Sequence, residues 1–219
     1  MNEIFLYVST GLILFSYVGY FVLIMYGRCK NVSKENSFDI VKDIISEYNS
    51  INVIESKSYF TIYNIKRKVV KLSSKVYYGS DLSSVSLSLI EAGISIVDKK
   101  KNKFLDILRN VFSNLKLLYI FPIIVVLINN SSFNVNDAKS SIIFVLIFTF
   151  LSYIVLDIKS QGIYFISENI KKIKVISKEG KFEIVNFMNK LLLFDKIIYF
   201  GELVAMVRIV FIMLGIIKV

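Results

Sequence analysis

Residues 4–26, IFLYVSTGLILFSYVGYFVLIMY, run for 23 positions without a charge. At about 1.5 Å per residue, a helix of that length crosses a hydrocarbon core of about 30 Å. The preceding Met-Asn-Glu offers no basic flank, and no small-residue cleavage motif follows. The run is therefore expected to stay as an anchor over 1–27 rather than be removed as a signal peptide. Three more apolar runs come later: LLYIFPIIVVLIN at 117–129, SIIFVLIFTFLSYIVL at 141–156 and DKIIYFGELVAMVRIVFIMLGII at 195–217. The first of these is short for a span, and its helix is expected to begin near Val111. The last carries Glu202 and Arg208. Charges inside a span face a bundle interior or a polar cavity, and a spacing of six does not stack two side chains on one helical face. Separate partners are expected for them.

Between the runs the period changes. Phe38, Val41, Ile44, Ile45 and Tyr48 fall at helical spacing over 36–49, with Asn36 or Ser37 placed to cap the helix. INVIES at 51–56 reads as a strand. YFTIYNI and VVKLS flank the basic turn KRK and read as a hairpin over 59–73. GSD at 79–81 opens a further helix that contains LSLIEAGISIVD, residues 87–98. Leu87, Ile90, Ile94 and Val97 form one stripe on it, and Ser84, Ser88, Glu91 and Ser95 form the neighbouring one. Read as an ordinary amphipathic helix, it buries the aliphatic stripe and leaves Glu91 to water or a lysine.

Composition sharpens this picture. The chain has 219 residues, 55% of them hydrophobic, and a net charge of +10. Such apolarity points to membrane spans. The basic charge is unevenly placed: residues 28–116 hold 16 Lys and Arg against 9 acids, 157–194 hold 7 against 4, and the 130–140 loop holds only Asp137 and Lys139. Four alternating spans put both basic segments on one side, and the positive-inside rule makes that side the cytoplasm. Both chain ends are then expected outside. Topology and anionic lipid explain the charge without nucleic acid. There is no histidine, which removes the usual metal ligand and general base, and with them any Ser-His-Asp, Cys-His or two-histidine zinc mechanism within this chain. Lone Cys29 excludes an internal disulfide and any CxxC metal site.

The order of segments nonetheless resembles the YugP-type bacterial membrane zinc metallopeptidases. The resemblance rests on the uncharged first run, on SFDIVKDIISEYNSINVIE, on VVKLSSKVYYGSDLSSVSLSLIEAGIS and on the apolar runs that follow. It implies a zincin-like helix in which Glu91 stands at the base position, Ile90 and Ile94 at the two histidine positions, and Asp157 in YIVLDIKSQGIYF at the acidic third-ligand position. Isoleucine offers no lone pair, so two of three metal ligands are missing and no cofactor is expected. Without a metal-bound water, Glu91 has nothing to accept a proton from. Ile90 and Ile94 instead extend the aliphatic stripe, as though hydrocarbon fills the former pocket.

The resulting expectation is an α+β membrane protein with about four transmembrane helices and a small cytoplasmic zincin-like helix–hairpin–helix domain. Its parts are an anchor at 1–27, a cytoplasmic α+β region at 28–110, two transmembrane helices at 111–156, a cytoplasmic helical segment at 157–194 and a last transmembrane helix at 195–219. The expected role is a non-catalytic relative of the peptidases, a pseudoenzyme that acts as a scaffold or regulator in the cell membrane. Its partners are the bilayer and another membrane protein or an active peptidase homologue. The hairpin 59–73 is the edge where an extended peptide could add as a strand. Two rivals stand beside this reading: an active peptidase that borrows ligands from a partner, and a small subunit of a transporter or immunity system.

Overall fold

The computed structural model describes residues 2–46, 51–99, 121–130 and 135–216. In chain order these form α1 (Asn2–Arg28), α2 (Ser37–Ile45), β1 (Asn52–Ser56), β2 (Ile62–Asn64), β3 (Val69–Ser73), α3 (Ser74–Tyr77), α4 (Leu82–Lys99), α5 (Phe121–Asn130), α6 (Val135–Asn169) and α7 (Lys178–Met213). The chain is mostly helical, with one small three-stranded sheet. Among the described residues two stretches are long and apolar enough to cross a membrane, Asn2–Arg28 and Ser141–Lys172. The expected end of the first soluble helix at 47–49, the start of the second apolar run at 111–120, and residues 217–219 lie outside the described residues. The structure divides into two compact units, one of Met1–Tyr20, Leu117–Leu156 and Leu193–Val219, the other of Phe21–Lys116 and Asp157–Leu192.

In the first unit α1 and α7 lie side by side, antiparallel. Arg208 meets Asn2, Gly201 meets Ser9 and Ile13, and Gly19 meets the ring of Phe194. The glycines explain the close approach, since a Cβ on Gly19 would stand 2.5 Å from the Phe194 ring. From α5, α6 and α7, Val125, Val145, Ala205, Ile209 and Ile212 form a buried cluster. The opposite faces are equally apolar. Leu14, Phe15 and Val18 of α1 and Phe144, Ile147 and Phe150 of α6 are exposed. Only 17% of the apolar window of α1 is buried, so it is not the core helix of a soluble domain. A helix apolar on its outer side as well as its inner one needs an apolar surrounding.

The second unit carries the sheet. Asn36 caps α2, its side-chain oxygen accepting from the Asp39 N–H at 3.0 Å. The hairpin forms, although β2 is only three residues long. Its turn is held by the Arg67 N–H donating to Asn64 Oδ1 at 2.9 Å, with Lys68 in the left-handed region at φ 52°. β3 pairs antiparallel with β2 and parallel with β1, so the order is β1-β3-β2 and β3 is central. Asp81 starts α4, its two carboxylate oxygens taking the Ser84 N–H at 2.9 Å and the Ser84 hydroxyl at 2.6 Å.

α4 is not amphipathic in the expected sense. Residues 88–98 are buried on every side, the serine stripe included. The serines tolerate this because their hydroxyls turn back onto their own helix: Ser88 donates to the Val85 carbonyl at 2.9 Å and Ser95 to the Ala92 carbonyl at 2.7 Å. They are small and self-satisfied, so a neighbour can come close. α6 does so at Gly93, where an added Cβ would stand 2.4 Å from the carbonyl oxygen of Gly162.

The last two helices exceed their expected limits. α6 starts at Val135, inside the stretch read as a loop, and α7 runs unbroken past the border expected at 195. Their additional turns bury side chains of their own, Ile163 and Ile166 on α6 and Ile184, Met188 and Leu191 on α7. Hydropathy registers where lipid contact ends, and a helix ends only where its packing does.

The Gly93 contact makes a clear test. Gly93→Ala should destabilise the fold by about 1–3 kcal/mol through overpacking. Gly11→Ala, where an added Cβ meets nothing within 4 Å, should be neutral or slightly stabilising through helix propensity. Thermal melts of the two variants in detergent separate the outcomes.

Candidate functional site

Glu91 sits at the middle of α4, 6% exposed. Its Oε2 accepts the main-chain N–H of Tyr63, on β2, at 2.6 Å. The same tyrosine donates its phenol hydroxyl to Asp98 Oδ2 at 2.5 Å. Glu91 and Asp98 are seven residues apart, two turns of one helical face. One strand residue therefore grips α4 twice, by its backbone and by its ring. From α6, Lys159 is 3% exposed, and its charge acts on Glu91. Burial raises the Glu91 carboxyl to about 7, and the Tyr63 N–H and Lys159 offset part of that rise.

Ile90 and Ile94, at the two implied histidine positions, are 1% and 4% exposed. They flank Glu91 with hydrocarbon. Asp157, the implied third ligand, is engaged elsewhere: Gln161 Nε2 donates to its Oδ2 at 2.7 Å in an exposed i, i+4 pair. Asp157 and Lys159 are about 200° apart around α6. Lys159, whose charge acts on Glu91, and Asp157 therefore lie on nearly opposite sides of α6. The residue that α6 brings to Glu91 is a cation. Among the described residues no three His, Cys, Asp or Glu side chains are grouped to hold a metal ion.

The arrangement defines its own chemistry. A carboxylate that already accepts a main-chain donor and lies in the field of a buried lysine has its charge partly compensated from within the fold. Tyr63 also occupies an outward main-chain donor of the edge strand β2, so strand addition at that point of the hairpin would compete with Glu91.

The other two polar positions are in the first unit. Glu202 is fully buried and accepts the Ser152 hydroxyl at 3.1 Å. Arg208 is 3% exposed, and its Nε donates to Asn2 Oδ1 at 2.7 Å. They do not pair with each other. Arg208 lies level with the first residues of α1, where a long side chain is near the end of the apolar run.

Compared with protein-family models, with curated proteins and with solved structures, the chain matches none.

Reading the sequence left Tyr63, Asp98 and Lys159 out of the site. The two-turn spacing of Glu91 and Asp98 was available as a signal. Lys159 had none, because one lysine beside Ile158 in a basic segment looks like any solvated charge.

Two outcomes follow. Ile94→Ala should cost about 2–5 kcal/mol, as for a buried aliphatic residue, measured by denaturant or thermal unfolding in detergent. Glu91 holds its proton to about pH 7 when folded and to about 4.5 when unfolded. Its contribution to stability is thus full below pH 4.5 and declines as pH rises through 7. Between about pH 5 and pH 8 the wild type should lose on the order of 3 kcal/mol that Glu91→Gln does not lose. Parallel pH slopes for the two proteins would refute this.

Proposed function

We propose that the chain is a non-catalytic integral-membrane binding protein, built on a framework resembling the YugP-type membrane zinc metallopeptidases. In this reading the metal site has been replaced by aliphatic packing and an internally compensated carboxylate. The observation that carries it is the engagement of Glu91 by the Tyr63 N–H, with Lys159 supplying the positive charge that a metal supplies in such enzymes. Ile90 and Ile94, packed on either side, close the same space. The antiparallel strand β2 lying against the helix that bears the glutamate supports the zincin-like assignment. With no catalytic water to activate, the retained fold has binding as its use: a scaffold or a regulator for another membrane protein.

The proposal includes a topology of four spans, with 28–116 and 157–194 in the cytoplasm. The grouping of Phe21–Lys116 with Asp157–Leu192 in one compact unit supports it, since these segments hold most of the basic residues.

Elemental analysis of the purified protein tests the first part. Well under one equivalent of zinc per chain after mild chelation, and no cleavage of peptide libraries, is the expected result. Metal near one equivalent, or cleavage that chelators abolish, would overturn it. Topology is tested with Lys66→Cys in a Cys29→Ser background. An impermeant thiol reagent should label it only after the cells are opened, and strong labelling of intact cells would refute the arrangement.

A further inference from the structure

The second buried carboxylate has surroundings unlike those of Glu91. Glu202 is completely buried on α7, yet among the described residues no lysine or arginine forms an ion pair with it. Its Oε1 accepts one neutral donor, the Ser152 hydroxyl of α6. Its Oε2 is buried with no hydrogen-bond partner among the described residues. Leaving such an oxygen ionised and bare is strongly unfavourable in an apolar bundle interior.

A second orphan lies on the same seam. Thr149, 4% exposed, stands three residues before Ser152 on α6 and therefore on the same face, about 5–6 Å away between Cβ atoms. It falls between the Ser152–Glu202 contact and the packed cluster of Val145 with Ala205 and Ile209. Its hydroxyl likewise has no partner among the described residues. Tyr17 and Tyr199 are within electrostatic reach of Glu202 and bring further oxygens to this part of the unit.

Depth adds to the argument. Gly201 packs on Ser9 and Ile13, which lie five to nine residues inside Ile4, where the uncharged run of α1 begins. At 1.5 Å per residue that is about 8–14 Å, close to half of a ~30 Å core. A carboxylate at that depth, with the Ser152 hydroxyl as its donor and no ion pair to a lysine or arginine among the described residues, is left to be compensated by a small cation from solution. We propose that Glu202, with Ser152 and Thr149, forms an intramembrane site for a small monovalent cation, a proton or Na⁺. Either ion neutralises the carboxylate, and hard oxygen donors suit both.

The test is carbodiimide modification of the full chain reconstituted in liposomes, read by site-resolved mass spectrometry. A hydrophobic carbodiimide adds to a protonated carboxyl sheltered from water, so label on Glu202 reports the proton-loaded site. The expected result is label on Glu202 that declines about tenfold or more from about pH 5 to about pH 9. If Na⁺, compared with choline at the same ionic strength, suppresses the label at fixed pH, the resident ion is the alkali cation. If the two salts give the same curve, it is the proton. Thr149→Ala keeps the carboxylate and should move the midpoint of the curve by about one pH unit, because one oxygen of the site is gone. An unmoved midpoint would remove Thr149 from the site. Absence of label on Glu202 across the range would overturn the proposal. So would label that ignores pH, because the proton would then be a permanent part of the fold.

Discussion

A carboxylate taken almost wholly out of water has to be compensated from inside the fold, and around Glu91 that requirement ties three elements together. Burial of an uncompensated charge costs several kcal/mol, so the donors must come from whatever packs on α4. The nearest is a main-chain N–H of β2, which fixes the edge of the sheet against the helix at 2.6 Å. The same Tyr63 then reaches Asp98 two turns away, which sets how the strand lies along α4. The third contribution comes from α6, which can approach because Gly93 and Gly162 have no side chains to separate their backbones. Lys159 of the same helix is buried, and its charge acts on Glu91. A polar network of this kind specifies its neighbours more tightly than aliphatic packing alone, because each member left unpaired is costly.

The helices of the other unit obey a different rule. In the proposed membrane topology these helices are surrounded by lipid, which is as apolar as a leucine side chain, so burying apolar surface there gives little driving force, and close backbone approach through small residues takes its place. Gly19 against Phe194 and Gly201 against Ile13 are such contacts. Polar groups are consequently conspicuous in this unit. Arg208 donates to Asn2 at the start of α1, while Glu202 is fully buried and accepts the Ser152 hydroxyl. The two charges share a helix, and depth assigns them different chemistry.

The contrast between the carboxylates also bears on what the protein is for. Glu91 accepts the Tyr63 N–H and feels the charge of Lys159, which is consistent with the proposed non-catalytic role. Glu202 has an oxygen without a hydrogen-bond partner among the described residues. Function based on a solute is thus more readily attached to the helical unit, and function based on a protein partner to the unit that carries the sheet.

Much of the local structure was legible from the sequence, because caps, turns and periodicity are set by residues only a few positions apart. Asn36 at its cap, the KRK turn between β2 and β3, Asp81 at the start of α4 and the uncharged run of α1 all belong to this class. The burial of Ile90 and Ile94 could be read from their stripe, and the lack of histidine from composition alone. The parallel pairing of β1 with β3 could not be read. Neither could the action of Lys159 rather than Asp157 on Glu91, the hydrogen bond of Arg208 to Asn2, or the extension of α6 and α7 beyond their apolar runs. Each of these depends on which distant segment comes to lie beside a given residue. Local propensity carries no information on that: Asp157 and Lys159 are two positions apart in the chain, and only the packing of α6 on α4 decided that the charge of Lys159 acts on the buried carboxylate.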